Sequence, residues 1–479
     1  MNRRFRHALL CLLAFAPGLC DATVRHDPAE RLQQQLRIEQ QRYGIVGQSV
    51  EISHDGKPLF QGVYGASDLD SGQRVAADDI FPVYSLAKLF VSTLLMQLVE
   101  QGKIDLDRPA SAYLRDLPEP WKAISVRQFL NHTSGVAEYY TPEQMAGTAE
   151  ANASFPASLP AALAVAAARP MQFAPGSRTR YTQTNYLVLT QLLETHYGQP
   201  YPRIARERIL VPLRLQRTWL GRDGLPARGV VCAYRGQDGK AQPMPDVAWP
   251  AYAVGHSALY MSRGDLSVFL RAVAAGELVS KATLMQLWQP LTLPGGQRGE
   301  FLSGWESGDS GGYRNVGHDG GTVVRARILF NDSLDRDVYT VVYLTNGSAR
   351  NVWSRTLVDD LMGVLAPQRF PAQALADRIA AFALRAPDDA RMQAFADSLR
   401  ADRSVEKQQL ERTINNTGYA LRESHGADAA LRAFLLNTRL FPKSANAWDS
   451  LAETYEAKGD LADAKAARRK QQALSTPSR

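Results

Sequence analysis

The stretch that decides the fold of this chain is Phe81 to Phe90, which reads FPVYSLAKLF. It places Ser85 three residues before Lys88, and apolar residues then recur at helical spacing up to Gly102. A helix that begins near Ser85 would bring both side chains onto one face, one turn apart. A serine hydroxyl is a weak nucleophile until a base takes its proton, and burial lowers the pKa of a lysine. The pair therefore predicts a nucleophile and its base.

A serine and a lysine at this spacing also occur by chance, about once or twice in a chain of this composition. The second match in this chain runs from Ser404 to Lys407. It opens a polar helix near the C-terminus, and Ser404 is predicted to be the N-cap of that helix. The pattern at Ser85 therefore indicates a site only together with other motifs.

The N-terminal residues have the order of a secretory signal. Three arginines within the first six residues precede an apolar run at 8–19, and small residues follow as far as Ala22. This order predicts a signal peptide over 1–22 and a periplasmic or secreted protein. Cys20 leaves lipidation open as an alternative. The apolar run is too short to span a bilayer and no later segment is long enough, so no membrane span is expected.

Composition sets further bounds. The 479 residues predict two or three domains. The formal charge of +7 is mild and spread along the chain, without the basic clusters and interleaved aromatics that nucleic-acid binding needs. Removal of the signal would leave Cys232 as the only thiol, so no internal disulfide is expected. No metal-ligand cluster is visible in the sequence, and no cofactor is expected.

Helix and strand patterns alternate through the main part of the chain. Residues 48–53 and 59–64 alternate around an Asp-Gly turn, which predicts a β-hairpin. Helices are predicted over 151–169, 184–197 and 266–274, with Asp265 as N-cap of the last. Four segments have the β-branched content and turn punctuation of an antiparallel sheet: 301–306, 313–317, 323–331 and 338–345.

From about Pro367 the composition of the sequence changes to alanine, arginine, aspartate and glutamine with helical periodicity. Gly418, Leu421 and Ala430 recur by type 34 positions later, whereas Phe434 and Pro442 do not. This pattern resembles a tetratricopeptide helix pair with a partial repeat. Two such units are too few to be stable alone, so the tail is expected to pack on the main domain.

A stripe of large residues at 448, 451 and 455 must bury somewhere in or near that tail. Packing between helices of the tail is the favoured interpretation, because such stripes usually mark a core. A groove for a protein partner is the alternative, and the tail is the surface on which we expect any such partner to bind.

Three motifs stand in chain order: Ser85-x-x-Lys88, Tyr181-x-Gln183 and His318-x-Gly320. Together with GKIDLDRPASAYL, FLNHTSGV, APGSRTRYTQTNYLVL and GHDGGT, they make the chain resemble the class C β-lactamase and penicillin-binding serine hydrolase family, over about residues 41–365. The resemblance implies an α+β fold, in which a β-lactamase/DD-peptidase-like antiparallel sheet is flanked by helices and accompanied by a helical subdomain. An all-α, tetratricopeptide-like tail follows.

The resemblance also implies the catalytic roles. Ser85 would be the acylated nucleophile, and Lys88 and Tyr181 would share the general-base work. An ammonium beside Tyr181 would favour its phenolate. The backbone N–H groups of Ser85 and Gly321 would form the oxyanion hole.

Four residues would contact substrate by the same resemblance: Gln183, His318, Gly320 and Gly321. Two of them depart from the family pattern, since Gln183 replaces an asparagine and His318 replaces the lysine of the β-lactamases. Histidine has an unperturbed pKa of about 6.5. We therefore expect carboxylate-bearing substrates to bind more strongly as the pH falls through the pKa of His318.

Other sites in the sequence are weaker candidates. His132 lies in a polar turn, where bonding to nearby backbone is the expected role. Residues 308–312, GDSGG, match the nucleophile region of chymotrypsin-like proteases but lie between two short strands, where a polar hairpin loop is expected. The Gly255-His256-Ser257 stretch fails as a nucleophile elbow, because Leu259 replaces the second glycine.

The expected organisation is a signal peptide at 1–22, a serine hydrolase domain at 23–366, a helical linker at 367–403 and tetratricopeptide-like helices at 404–475. The expected function is an exported serine hydrolase that forms an acyl-enzyme at Ser85 on an ester, D-peptide or amide, with a small molecule or peptide as substrate. Two alternatives stay open, a catalytically weak binding or scaffold protein and a true class C-type β-lactamase. The motifs do not choose among these substrates.

Overall fold

The computed structural model describes residues 27–245, 247–321 and 323–475. The predicted signal peptide at 1–22 lies outside the described residues. Among the described helices, none is both long and apolar enough to cross a membrane.

The strands form one large sheet and two small ones. Their bounds are β1 (Gly47–His54), β2 (Lys57–Gly65), β3 (Ile80–Pro82), β4 (Thr218–Leu220), β5 (Tyr234–Gln237), β6 (Lys240–Pro243), β7 (Leu259–Ser262), β8 (Phe301–Leu302), β9 (Trp305–Ser310), β10 (Tyr313–Gly320), β11 (Val324–Phe330) and β12 (Tyr339–Thr345). The large sheet is antiparallel and has the order β2-β1-β12-β11-β10-β9-β8, while β3-β7-β4 and β5-β6 form the small sheets.

The helices surround the large sheet and extend beyond it. Their bounds are α1 (Pro28–Tyr43), α2 (Ala87–Glu100), α3 (Val126–Leu130), α4 (Ala149–Ala153), α5 (Leu159–Ala167), α6 (Thr184–Tyr197), α7 (Tyr201–Ala205), α8 (Arg263–Ala275), α9 (Lys281–Leu287), α10 (Ser354–Leu365), α11 (Pro371–Leu384), α12 (Asp389–Ala401), α13 (Lys407–His425), α14 (Ala427–Leu440), α15 (Ala445–Lys458) and α16 (Leu461–Ser475). The predicted fold class, an α+β domain followed by a helical tail, is confirmed.

The hairpin predicted near the N-terminus is β1 paired with β2. Asp55 and Gly56, its two turn residues, both have positive φ, 47° and 75°. A turn with positive φ at both central residues matches the right-handed twist of the flanking strands. The strand β1 also pairs with β12, so the two ends of the main domain are joined in one sheet.

Alternation along the central strands gives the sheet two buried faces. On β12, Val342 and Leu344 pack into the large core that contains α2, α6 and α8, whereas Val341 and Tyr343 pack into a second core on the opposite face. Helices α1 and α10 cover that second face. Helix α1, which begins at an Asp27 N-cap, was not predicted from the sequence.

Three local predictions were wrong. The single helix predicted over 151–169 is two helices, α4 and α5, because the chain turns at Ser154 and α5 restarts with the N-cap Ser158. The N-cap of α8 is Ser262, whose hydroxyl accepts a hydrogen bond from the Asp265 N–H, so Asp265 lies inside the helix. Ser404 does not cap α13, which begins at Lys407 after Glu406.

The segment predicted as one strand over 301–306 is also divided. The chain reverses at Ser303 and Gly304, which have positive φ of 49° and 85°, so that β8 pairs back on β9. The predicted β10, β11 and β12 are confirmed to within a few residues.

The tail consists of antiparallel helices, and its large residues pack inside it. Trp448, Leu451 and Tyr455 join a core with Phe434 and neighbouring alanines of α14 and α16. The prediction that this stripe buries within the tail is therefore confirmed.

The tail also packs on the main domain, as expected. The Arg42 guanidinium of α1 lies 2.7 Å from an Asp377 carboxylate oxygen of α11 and 3.5 Å from Asp360. The Arg42 carbonyl lies 2.9 Å from His425 Nε2 at the end of α13. Phe370, which is fully buried, stacks on Tyr313 of the sheet with 5.2 Å between ring centroids.

Truncation after Leu365 is expected to destabilise the main domain while removing none of the candidate site residues. The truncation removes the Phe370 ring, and loss of a buried phenylalanine alone costs about 3–5 kcal/mol. The measurement is chemical unfolding together with the oligomeric state of the truncated chain, and full-length Phe370→Ala is the matched control. A soluble, monomeric truncation with the unfolding midpoint of the full chain would contradict this prediction.

Candidate active site

Ser85 lies in one 3₁₀ turn, Tyr84–Leu86, that leads directly into α2. The turn is fixed from below by a hydrogen bond from the Val83 N–H to the Leu259 carbonyl of β7, at 2.9 Å. Tyr84 has φ 47°, which is rare for a bulky residue and is typical of strained functional turns. The predicted helix start near Ser85 is therefore confirmed, with the serine at the entrance of the helix.

Ser85 Oγ is the meeting point of the predicted catalytic side chains. Lys88 Nζ lies 3.3 Å from it, and the Tyr181 hydroxyl lies 2.9 Å from it. Lys88 Nζ also donates to the His256 carbonyl at 2.7 Å, which fixes the amine beneath the serine. The structure thus brings together three residues that lie in two distant motifs of the sequence.

The environment of Lys88 favours the neutral amine. Its side chain is fully buried, and this desolvation holds its pKa well below the usual value. The Glu138 carboxylate acts in the opposite direction but is the smaller effect. A neutral amine can accept the proton of the Ser85 hydroxyl.

Tyr181 differs from the expectation that it would readily form a phenolate. About 39% of its side chain is exposed, but its hydroxyl is directed inward to Ser85. Desolvation raises the pKa of Tyr181 well above its usual value, although the hydrogen bond to Ser85 opposes this. These pKa directions favour the protonated phenol for Tyr181 and the neutral amine for Lys88.

Glu138 positions the Tyr181 loop, and the sequence analysis missed it. Its carboxylate accepts hydrogen bonds from the Thr182 hydroxyl at 3.2 Å, the Gln183 N–H at 2.8 Å and the Thr184 hydroxyl at 3.1 Å. A carboxylate at the start of α6 satisfies free N–H groups and favours the positive end of the helix. Because Glu138 lies more than forty residues before that helix, no local spacing could have revealed it.

His132 supports the same loop. Its Nδ1 accepts hydrogen bonds from the Thr182 N–H at 3.2 Å and from the Asn185 side chain at 3.0 Å. The expected structural role of His132 is confirmed, although the backbone that it binds belongs to the Tyr181 loop rather than to its own turn.

Gln183 begins the same helix and lines the site cavity. Its side chain is 8% exposed, and its Oε1 has no hydrogen-bond partner among the described residues. A buried acceptor without a partner is costly unless a ligand or water satisfies it. Gln183 thus lies at the cavity wall, and its contact with a ligand stays a prediction.

The end of β10 lies directly against the Ser85 turn. A side chain on Gly320 would lie 2.3 Å from the Val83 carbonyl, and one on Gly321, which has φ 53°, would lie 3.1 Å from the Tyr84 ring. Only glycine permits this close approach of the two backbones. It places the Gly321 backbone at the cavity wall beside Ser85.

His318 lies on β10 with its ring 5.7 Å from the Tyr181 ring and 5.8 Å from Phe301. Burial lowers the pKa of His318 to about 4, and the nearby Lys88 adds to this effect. The predicted strengthening of carboxylate binding through His318 is therefore expected near pH 4 rather than near the ordinary histidine value. Asp319 points to the other face, as expected, where it pairs with Arg325 and Arg327 at 2.5 and 2.7 Å.

The site opens into a cavity of about 850 Å³. Aromatic and apolar side chains dominate its walls, and a few polar groups are interspersed, an arrangement typical of small-molecule sites. The described lining residues include Ser85, Gln183, Ser257, Gly321, Trp249, Tyr260, Asn346 and Trp353.

The competing serine motifs do not form sites. In the GDSGG stretch, residues 308–310 belong to β9 and the two glycines make its turn, so the hairpin is confirmed. The Ser310 hydroxyl accepts a hydrogen bond from the Asn315 side chain at 3.0 Å. Ser257 lines the cavity and lies 2.7 Å from the His256 ring, but this histidine also bonds the Tyr139 hydroxyl and is fully buried.

Comparison with known proteins gives the family. The profile of the family described as Beta-lactamase matches residues 21–356. The chain belongs to the beta-lactamase family. The matched range contains Ser85, Lys88, Tyr181 and His318, together with the strands and helices that surround them.

Relatives in this family are distant in sequence. The chain is 25% identical over 317 residues to a D-aminopeptidase of Brucella anthropi, covering 64% of this chain and 55% of the relative. It is 26% identical to penicillin-binding protein 4 of Amycolatopsis lactamdurans, over 70% of this chain and 89% of that protein. The chain spans about half the length of the D-aminopeptidases that it matches.

A solved structure shows the same fold. The D-amino acid amidase of Ochrobactrum anthropi SV3, complexed with L-phenylalanine amide, superposes with a TM-score of 0.60 at 21% identity. The match covers 72% of this chain and 99% of that one. At this identity the comparison establishes the fold alone.

The acid limb of the pH–activity profile is expected to report Lys88. Because desolvation lowers the pKa of Lys88, the active neutral amine forms as the pH rises through a value below the usual 10.5, and turnover rises with it. Lys88→Arg, which stays protonated, is expected to lose at least about a hundredfold in kcat/KM. The measurement is kcat/KM against pH on a neutral aryl ester. A Lys88→Arg enzyme with the wild-type profile would show that another group is the base.

Proposed function

We propose that this chain is an exported serine hydrolase that forms an acyl-enzyme at Ser85 and acts on amide, D-peptide or ester bonds. The observation that carries this proposal is the convergence of Lys88 Nζ and the Tyr181 hydroxyl on Ser85 Oγ at the wall of one cavity. We propose 23–366 as the hydrolase domain. The D-aminopeptidase relatives support amide and D-amino-acid substrates.

Acylation uses the neutral Lys88 amine as the base. Lys88 accepts the hydroxyl proton while Ser85 Oγ attacks the substrate carbonyl carbon. The backbone N–H groups of Ser85 and Gly321 stabilise the oxyanion that forms. The bond to the leaving group then breaks, and the leaving atom takes the Tyr181 hydroxyl proton. The Tyr181 phenolate left behind then takes the proton from the Lys88 ammonium, since both groups lie around Ser85 Oγ.

Deacylation reverses these roles. A water molecule attacks the acyl carbon and gives a proton to Lys88 as it does so. Ser85 Oγ takes this proton back from Lys88 when the second tetrahedral intermediate collapses, and the free acid is released. The burial of Lys88 keeps its amine neutral at the start of each half-reaction.

Two departures from the class C pattern favour esters and amides over bicyclic β-lactams. His318 is uncharged above about pH 4 and provides no fixed cation for a substrate carboxylate. Gln183 is one methylene longer than asparagine and lines the cavity beside Ser85. A class C-type β-lactamase and a catalytically weak scaffold are the alternatives, the second because of the Gln183 replacement.

The two ends of the chain are part of the proposal. Residues 1–22 have the order of a signal peptide and would direct the protein to the periplasm or outside the cell. Residues 404–475 would form a tetratricopeptide-like module, preceded by a helical linker at 367–403. The contact of α13 with α14 and of α15 with α16, consecutive helices joined by short connections, supports this assignment.

Ser85→Ala is expected to abolish covalent labelling by a fluorescent phosphonate or penicillin while the protein stays folded. The Ser85 hydroxyl contacts polar groups at the cavity wall and contributes little apolar packing. The measurement is intact-mass spectrometry of labelled protein, with Ser257→Ala and Ser310→Ala as matched controls that keep the label. Labelling that survives in Ser85→Ala and moves to either control serine would overturn the assignment.

Wild-type enzyme is expected to hydrolyse a short-chain aryl ester more efficiently than a chromogenic cephalosporin. His318→Lys would supply the missing cation and raise cephalosporin kcat/KM relative to ester kcat/KM. Between pH 5 and pH 8 the wild-type preference should not change through His318, because this ring gains its proton only near pH 4. Efficient cephalosporin turnover by wild type, without gain in the lysine variant, would show that His318 does not discriminate these substrates.

A further inference from the structure

The small β5–β6 hairpin forms one wall of the cavity that holds Ser85. Its contribution to the lining includes Arg235, Gln237 and Gln242. The two strands are antiparallel, and Arg235 lies directly opposite Gln242. The proposed mechanism uses none of these side chains.

Alternation along β5 places Arg235 on the cavity face. The Tyr234 hydroxyl accepts a hydrogen bond from the Leu69 N–H at 2.8 Å and donates to Asp68 at 3.1 Å, so that side chain is directed to the loop after β2. Successive side chains of a strand point to opposite faces. Arg235 and Gln237 therefore share the other face, and the cross-strand neighbour Gln242 stands beside them.

The backbone on both sides of Arg235 is held in place. The Tyr234 N–H donates to the Asn346 carbonyl at 2.7 Å. The Asn351 side chain accepts from the Gly236 N–H at 2.7 Å and donates to the Gly236 carbonyl at 2.9 Å. Asn351 itself has φ 49°, a conformation that asparagine tolerates better than most residues. The arginine therefore projects from a fixed position.

Arg235 is the only charged side chain among the described residues that line this cavity. It is exposed, and its guanidinium forms no ion pair or hydrogen bond with a described residue. Most arginines near the sheet are paired instead, such as Arg325 and Arg327 with Asp319. An unpaired guanidinium in an otherwise uncharged cavity is available to an anionic ligand.

His318 on β10 does not supply a positive charge to this cavity. His318 stands where the family resemblance implies a lysine, and burial keeps it neutral above about pH 4. Lys88 is fully buried beneath the serine, and its pKa is lowered. The positive charge that a substrate anion can contact in this cavity is therefore that of Arg235 on the β5–β6 hairpin, and not a charge on β10.

We infer that the preferred substrate carries a carboxylate away from its scissile bond, and that Arg235 binds this carboxylate. The planar guanidinium matches a carboxylate through two parallel N–H···O bonds. Gln237 and Gln242 are neutral donors on the same face that complete the subsite. This inference rests on the proposed hydrolase function, because it identifies the substrate class of the same cavity.

The test compares matched esters that differ only in charge. One pair places the charge on the acyl side, with the 4-nitrophenyl monoester of glutaric acid against 4-nitrophenyl pentanoate. A second pair places it on the leaving group, with the acetyl ester of 4-hydroxybenzoic acid against that of its methyl ester. The readout is the ratio of kcat/KM for the charged ester to kcat/KM for the neutral ester, in low salt and in 0.5 M salt.

In one of the two pairs, this ratio is expected to fall about ten- to a hundredfold in Arg235→Gln, mainly through KM. Arg235→Lys should keep part of the preference, and Arg235→Glu should reverse it towards an ester with a distal ammonium. Arg228→Gln is the matched control, an exposed arginine outside the cavity lining that should leave the ratio unchanged. High salt should reduce the wild-type ratio.

Equal ratios in wild type, Arg235→Gln and Arg228→Gln for both pairs would overturn the inference while leaving the hydrolase function intact. Turnover of the neutral esters that survives Ser85→Ala would overturn the proposed function instead. If no ester is turned over, glutarate binding to wild type and Arg235→Gln is measured by calorimetry. Weaker binding by the variant supports the subsite, and equal binding or none to either protein contradicts it.

Discussion

The burial of the Lys88 amine is the constraint on which the rest of the site depends. An ammonium excluded from water is costly, so burial lowers the pKa of Lys88 and favours the neutral amine. The neighbours that exclude water are also those that define the site: Nζ lies 5.0 Å from the centre of the Tyr181 ring and 5.3 Å from that of Tyr186. The same enclosure lowers the pKa of His318 and raises that of Tyr181. One desolvated pocket therefore shifts three pKa values, those of Lys88 and His318 downward and that of Tyr181 upward.

This enclosure exists because two layers of the fold meet at Ser85. The turn before α2 comes from the helical side, and the end of β10 comes from the sheet. They approach at backbone distance because Gly320 and Gly321 carry no side chains, and Tyr84 accepts a positive φ at the same point. The Tyr181 loop encloses Ser85 together with these two segments, and Glu138 and His132 hold that loop in place. Its position therefore depends on a segment that is distant in sequence.

The charged side chains that take no part in the proposed reaction are of two kinds, those that pair with an opposite charge and those that do not. Behind β10, Asp319 and Glu306 pair with Arg325 and Arg327 across neighbouring strands of the sheet. At the tail, Arg42 joins α1 to the acidic residues of α10 and α11. Buried charges of this kind are retained in pairs, because an isolated one is strongly destabilising. Arg235 is the contrasting case, because it is exposed in the cavity without such a partner among the described residues.

The sequence by itself determined the elements whose causes are local. The spacing of Ser85 and Lys88, the Asp-Gly turn of the first hairpin and the helix at 184–197 follow from helix periodicity, turn chemistry and apolar pattern. The sequence-based prediction was wrong where two nearby residues could both cap a helix: Asp265 was predicted to cap α8, but Ser262 does so. Only the tertiary structure decided that Lys88 is buried beside Ser85, that burial lowers the pKa of His318, that Glu138 holds the Tyr181 loop and that an arginine of a remote hairpin lines the cavity. Each of these depends on desolvation or contact between residues far apart in the chain, and no local pattern encodes that environment.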